Sequence, residues 1–266
     1  MPGTIRVERD GALATLTICN PGKLNALDRG MWLAMADELG SLRTDVDDPA
    51  RTRLRCLRVR GDGTEAFAAG GDLEEFLRVR TTIDEAMAYH EVAVAPALDA
   101  LANFPLPVVA QIDGPCIGGG LEIACCCDLR IASARSSFGA PILKIGFSMY
   151  AGELARILAA VPASVVAEIL LEGRILGAAE ACAKGLVTRV VADGATEAET
   201  LATCHRISQG APLVAREHKR WIRALAGGRT PTTEEKRDSL SLVASADYRA
   251  GLAAFLGKEI PEFKGR

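Results

Sequence analysis

Two glycine-rich turns and one carboxylate are the residues whose types and spacing could do chemistry. The first turn reads Ala66-Phe67-Ala68-Ala69-Gly70-Gly71-Asp72-Leu73-Glu74-Glu75, and the second Asp113-Gly114-Pro115-Cys116-Ile117-Gly118-Gly119-Gly120-Leu121-Glu122. Each follows a strand candidate and opens a helix candidate. Glycine at such a corner permits positive φ and lets a ligand approach the backbone. The first N–H groups of the following helix have no internal partner and carry the positive end of its dipole. Two such corners facing one cavity could donate two hydrogen bonds to one oxygen, forming an oxyanion hole in which each donor is worth about 10²–10³ in rate. Two tight turns chosen for packing alone would carry the same glycines. Glu122 lies in an apolar stretch that ends in Cys125-Cys126-Cys127. It is either a surface residue of an amphipathic turn or a buried carboxyl whose raised pKa suits proton transfer. Asp72, with Glu75 three residues later, has the pattern of a helix N-cap with a capping-box partner.

Other chemistries find little support. No GxGxxG opens a helix after a strand, no GxxxxGK[ST] occurs, and Gly146-Phe147-Ser148-Met149-Tyr150 misses GxSxG at its last position. With only His90, His205 and His218 present, a Ser-His-Asp hydrolase is disfavoured. The eight cysteines form no CxxC pair and there is no HExxH, so no metal site is expected. They read as small buried thiols in a reducing cytosol. The 31 basic and 34 acidic residues leave a net charge of -3, which favours neither nucleic acid nor an anionic membrane as partner. The opening MPGTIRVERDG has no apolar signal region, and no apolar run approaches the ~18 residues of a membrane span. The expected location is cytoplasmic.

The elements that must position these turns follow from periodicity and punctuation. The chain has 266 residues, 49% of them hydrophobic, enough for a substantial core. Strands are expected at 11–18, 54–60 (with Leu57 and Val59 alternating against arginines), 107–113, 128–132 and 188–192. Helices are expected from Asp28 to about Leu42, over 81–104 with a bend or interruption near Pro96, and at 163–171, 178–184 and 196–208. Beyond residue 200 only helical stretches appear, at 212–226 and 233–257. Alternating strands and helices followed by helices alone argue for an α/β core over residues 1–195 and a helical appendage over 196–266. No fixed-period repeat is visible. Glycine is in excess, with 26 against roughly 19 expected at average usage. Eight of them fall between Gly61 and Gly120, which is where the two turns lie.

At this point the chain resembles the crotonase, or enoyl-CoA hydratase/isomerase, superfamily. Asn20-Pro21-Gly22-Lys23-Leu24-Asn25-Ala26-Leu27 is similar to its early N-[RP]-x-K-x-N-A-L segment. Ala66–Leu73 resembles its first oxyanion turn and Gly114–Asp128 its second. Phe138-Gly139-Ala140-Pro141 with Gly146, then Gly177–Val191, then Gly251–Lys258 complete the match in order along nearly the whole chain. The resemblance implies a crotonase-like spiral of ββα units with a helical C-terminal trimerisation region, assembled as a homotrimer or a dimer of trimers. It implies an acyl-CoA thioester substrate, with coenzyme A part of the substrate and no separate cofactor. The thioester oxygen would accept from the Gly71 and Gly119 N–H groups, which would then hold an enolate. Lys23, Leu24, Ala26, Ala69 and Asp72 match positions that contact the CoA moiety, while Phe255 and Lys258 match positions that reach the CoA of a neighbouring subunit.

One departure limits what the resemblance implies. Family hydratases use two glutamates. Glu122 matches the first, but Ile142 stands where the second follows the proline of F-G-x-P-E, and Met149 replaces a downstream proline. An isoleucine transfers no proton and leaves that side of the substrate cavity drier. Tyr150 and Glu153 lie close enough in sequence to substitute. Three readings follow: a hydratase-like lyase with Glu122 as general acid/base, another enolate reaction of a CoA thioester (isomerisation, decarboxylation or C–C hydrolysis), and a non-catalytic acyl-CoA binder.

Overall fold

The structure, a computed structural model, describes residues 3–47 and 52–266. In chain order, strands β1 (Thr4–Asp10) and β2 (Leu13–Cys19) precede helix α1 (Arg29–Asp47) and strand β3 (Cys56–Gly61). Helix α2 (Leu73–Val79) follows the first glycine turn. Then come α3 (Ile83–Ala88), a wide π-type turn over Tyr89–Val94, and α4 (Ala95–Ala102). Next are β4 (Val108–Ile112), β5 (Pro115–Ile117), α5 (Gly119–Cys126), β6 (Leu129–Ser133) and β7 (Ser137–Gly139). A 3-10 turn at Pro141–Ile145 leads to α6 (Ala151–Leu158), α7 (Ala163–Leu171), β8 (Ile175–Gly177), α8 (Ala178–Ala183) and β9 (Arg189–Val191). The rest is helical: α9 (Thr196–Ser208), α10 (Pro212–Ala226), α11 (Thr233–Ser239), a 3-10 turn at Ser241–Ala244, and α12 (Ala246–Gly257).

The main sheet has the order β1-β2-β3-β4-β6-β9, and the small one β5-β7-β8. Only the β1–β2 and β7–β8 pairs are antiparallel. The order of travel explains both sheets. The chain adds a strand to the main sheet, turns a corner, adds a short segment to the small layer, and leaves as a helix. That happens at β3, Ala68 and α2, again at β4, β5 and α5, and again at β6, β7 and the 3-10 turn before α6. These are ββα units whose insertions differ in length, so no constant sequence period marks them.

Parallel strands are covered on both faces, and the residues follow that demand. Along β4, Val108, Ala110 and Ile112 join the large core with Phe67, Phe104 and Phe138, while Val109 faces the layer under α9 with Cys56, Ile131 and Cys204. Each fully buried phenylalanine contributes roughly 1.5–3 kcal/mol relative to an exposed one. The arginines of β3 do not simply face water. Arg58 lies under α9, where its Nε donates to Thr15 Oγ1 at 3.2 Å and its Nη1 to Glu197 Oε1 at 3.1 Å.

Several local expectations are corrected. Strands β1, β5, β7 and β8 were not anticipated; the last three have three residues each, too few for alternation to register. The long helix is interrupted near Pro96, as expected: the widened turn at Tyr89–Val94 ends two residues before the proline, which sits in the first turn of α4. The single helix expected over 233–257 is broken, because Ser245 caps a new one by accepting from the Tyr248 N–H at 3.0 Å.

Candidate active site

The segment that carries Lys23, Leu24 and Ala26 braces the first glycine turn. Asn25 adopts φ +57°, a conformation asparagine tolerates better than most residues. Its Nδ2 donates to the Ala66 carbonyl at 2.8 Å and the Asp62 carbonyl at 3.1 Å, while its Oδ1 accepts from the Asn20 N–H. The Ala69 N–H donates to the Leu24 carbonyl at 3.0 Å. Leu27 then forms a bridge opposite Gly71: its N–H donates to the Gly70 carbonyl at 2.7 Å, and its carbonyl accepts from the Asp72 N–H at 2.8 Å. That pattern uses the groups on either side of Gly71 and leaves its amide outside the pairing.

The second turn is laid against the first. Ala68 and Cys116 form a parallel bridge in which the Ile117 N–H donates to the Ala68 carbonyl at 2.9 Å. Gly118 has φ +50° and ψ -115°, a conformation open to glycine alone among the residues, and a Cβ there would lie 3.5 Å from the Gly70 Cα. Gly119 begins α5, so its N–H is one of the four without an intrahelical partner. A Cβ on Gly119 would sit 2.9 Å from the Trp32 ring, and one on Gly120 2.5 Å from the Ala68 carbonyl oxygen. Close approach, together with backbone freedom at Gly118, therefore accounts for three glycines in a row. The far end of α5 is held by arginines: Arg130 donates to the Cys127 carbonyl and Arg223 to the Cys126 carbonyl.

Both turns open on one cavity of about 740 Å³, part of it open to solvent. Gly71, Gly119, Glu122, Ile142, His90 and Glu153 line it, with Trp32 and Phe76 among the apolar walls. Glu122 is buried, which decides between the two sequence readings in favour of a buried carboxyl. Burial pushes its pKa well above the usual carboxylate range. The neighbouring Glu153 charge adds to the rise, and the Arg80 guanidinium opposes it. Arg80 is held by stacking, its guanidinium carbon 4.2 Å from the Phe76 ring centre and 4.1 Å from that of Phe147.

Glu153 comes from the first turn of α6 and is 6% exposed; its Oε1 is hydrogen-bonded to His90 Nδ1. The His90 ring stacks on Tyr150 at 4.9 Å between centres and on Phe147 at 6.0 Å. The Tyr150 hydroxyl donates to the Glu91 carboxylate, and Tyr150 is not part of the cavity wall. Of the two residues considered as substitutes for the missing glutamate, the fold brings only Glu153 to the cavity.

The remaining sequence candidates fall outside or at the edge. Ala69 lines the cavity; Lys23, Leu24 and Ala26, on the bracing segment, do not. Asp72 caps α2 by accepting from the Glu74 N–H at 3.1 Å, and Lys23 Nζ bonds both Asp72 and Glu74 at 2.8 Å. The Lys23 ammonium and the Glu74 amide hold the Asp72 carboxyl below its ordinary range, the lysine having the larger effect. The expected capping box is absent: Glu75 turns away and accepts from the Arg29 N–H at 2.8 Å, joining α2 to the start of α1. Phe255 and Lys258, at the end of α12, are exposed and do not line the cavity. His90 was missed as a site residue. Its only sequence signal was a lone histidine in a helical stretch, and its partner lies 63 residues on.

A spiral of ββα units that sets two glycine corners over a buried glutamate is the crotonase architecture, and comparison agrees. The enoyl-CoA hydratase/isomerase family model matches residues 8–266, so the chain belongs to that family and is an enzyme of it. A solved structure described as an enoyl-CoA hydratase/carnithine racemase from Magnetospirillum magneticum superposes with a TM-score of 0.93 at 42% identity, covering 99% of this chain and 96% of the other. Among curated relatives, "Probable enoyl-CoA hydratase echA8" of Mycobacterium bovis is 33% identical over 265 residues, covering 99% of this chain and 98% of its own. The 2,3-dehydroadipyl-CoA hydratase of Escherichia coli is 29% identical over 268 residues, covering 98% of each.

Proposed function

We propose that this enzyme adds water reversibly to an α,β-unsaturated acyl-CoA thioester, with coenzyme A as part of the substrate and no separate cofactor. The observation that carries the reading is the pair of carboxylates, Glu122 from α5 and Glu153 from α6, on the cavity that the two glycine turns share. The thioester oxygen accepts from the Gly71 and Gly119 N–H groups. Glu153 removes a proton from water as the water oxygen bonds to the β-carbon, and the displaced π electrons move onto the thioester oxygen as an enolate. Glu122, kept protonated by burial, delivers its proton to the α-carbon as the carbonyl re-forms. Proton return from Glu153 to Glu122 closes the cycle. Ile142 packs against the acyl chain. Lys23, Leu24, Ala26, Ala69 and Asp72 serve the CoA moiety.

The test is hydration of a short trans-2-enoyl-CoA, followed by loss of the enoyl absorbance. Glu122→Gln and Glu153→Gln should each lower kcat by about 10²–10⁴. An inactive parent, or a Glu153→Gln variant as fast as the parent, would overturn the reading.

Ile142 favours a second reading, in which the dry wall excludes water and the two carboxylates move a proton between carbons, isomerising the double bond. Running the reaction in ¹⁸O-labelled water separates the two, since only hydration places the label in the product.

The C-terminal region supports assembly as a homotrimer or a dimer of trimers. Leu252, Phe255 and Leu256 of α12 are exposed in the single chain, as are Leu240 and Val243 just before it. In such an assembly Phe255 and Lys258 would meet the CoA of a neighbouring subunit. Sedimentation of the intact protein tests this; a monomer would exclude it. Free thiols throughout suit the reducing cytoplasm, and no helix among the described residues is long and apolar enough to cross a membrane.

A further inference from the structure

We propose that His90 is the positioning residue of Glu153, fixing the carboxylate on the cavity wall through a side-chain hydrogen bond. The inference builds on the reading of Glu153 as an acid/base group and goes beyond it by assigning the group that orients that carboxylate.

Three observations carry it. His90 and Glu153 are both about 95% buried, and their side chains meet through Nδ1 and Oε1. A buried carboxylate without a donor is costly, and the imidazole meets that need. The second observation is local geometry. His90 belongs to the widened turn Tyr89–Val94, set between two stretches of ordinary α-helix. Such a turn inserts a residue and rotates the side chains that follow, a distortion that recurs at functional sites. Third, the ring is clamped on its faces rather than by its second nitrogen. Phe147 and Tyr150 stack on it, and the Tyr150 hydroxyl reaches Glu91, the residue after His90.

The tautomer follows from the burial. His90 Nε2 is buried and has no hydrogen-bond partner among the described residues. A bare acceptor is tolerated in such a place more readily than an unpaired N–H. The proton therefore belongs on Nδ1, which donates to Glu153 Oε1. The arrangement gives Tyr150 a part as well: it holds the ring without touching the cavity.

The test combines a spectrum with kinetics. In the parent protein, ¹⁵N spectra of its three histidines should show one ring with Nδ1 protonated and Nε2 bare, and Glu153→Gln should shift that ring alone. A His90 ring protonated on Nε2 alone would overturn the inference without any variant being made. In turnover, His90→Phe should lower kcat by about 10- to 100-fold, the scale on which lost orienting partners act, with KM within about twofold. His90→Asn, which keeps a donor near the Nδ1 position, should recover most of the loss. A merely structural histidine would leave kcat per folded molecule unchanged in both variants, and that result would also overturn the inference. If Glu153→Gln proves fully active while the spectrum is as described, the reading of Glu153 fails and the hydrogen bond stands.

Discussion

Gly71 and Gly119 occupy equivalent places in two neighbouring chain segments: each lies three residues beyond the Ala68–Cys116 bridge. The equivalence places two helix-entry corners side by side, where their free amides can serve one oxygen. The corners are set by backbone pairing, with the Asn25 side chain bracing the first of them.

The most constrained point of that arrangement is Gly118, with φ +50° and ψ -115°. Gly118→Ala should cost about 1–3 kcal/mol of stability for the forced backbone. It should also displace the Gly119 amide, lowering kcat by up to about 10²–10³, the worth of one oxyanion donor. Thermal unfolding and steady-state kinetics on the same preparation check both; a variant with full stability and turnover would refute the geometry.

Glu122 makes stability depend on pH. Its carboxyl holds a proton to higher pH in the folded protein than in the unfolded chain, where it titrates normally. The stability this contributes is fully present below the ordinary carboxylate range and is lost as pH rises through the raised folded value. Glu122→Gln removes that loss. The Tm of the variant relative to the parent should therefore climb as pH rises above the ordinary carboxylate range. A difference that stays flat would mean the carboxyl is not buried.

The thiols should be inert. Seven of the eight cysteines are buried and Cys182 is partly exposed. Burial pushes the Cys125 thiol up to about 11 and that of Cys127 up to about 12, so neither offers appreciable thiolate at neutral pH. A colorimetric thiol titration of the native protein should consume about one equivalent quickly, and all eight only after denaturation.

Lys23 sits outside the cavity, paired with Asp72 and Glu74 at the entrance to α2. If it serves the CoA moiety, Lys23→Ala should raise KM for a CoA thioester several-fold and leave kcat within about twofold, the signature of lost uniform binding. The effect should shrink at high salt, because the group is solvent-exposed. An unchanged KM would leave Lys23 with its ion pairs alone.

How much was legible in the sequence depended on the range of the interaction. Strands β2, β3, β4 and β6 and the helices at 163–171, 196–208 and 212–226 follow from local periodicity, and the three-residue β9 from its Val190-Val191 pair. The glycine corners were visible because each packs its chemistry into ten residues. The strands of the small sheet were not, since three residues carry no pattern and their pairing partners lie 22 and 38 positions away. Glu75 was misassigned because a capping box and a tie to Arg29 have the same local sequence. The His90–Glu153 pair was invisible for a compound reason: a widened turn aims one member, a separate helix brings the other, and neither shows in spacing. The replacement of the second family glutamate by Ile142 was plain. That Glu153 supplies a second carboxylate to the same cavity required the fold.

The bracing of the first turn by Asn25 and Leu27, and of the second turn by the first, makes the site a serial construction. Each donor inherits its position from a segment earlier in the chain, so a fault near the amino terminus propagates to Gly119 nearly a hundred residues later. The wall that carries α6 and the widened turn takes no part in that chain of backbone bonds, and α6 reaches the second amide only through its packing on α5.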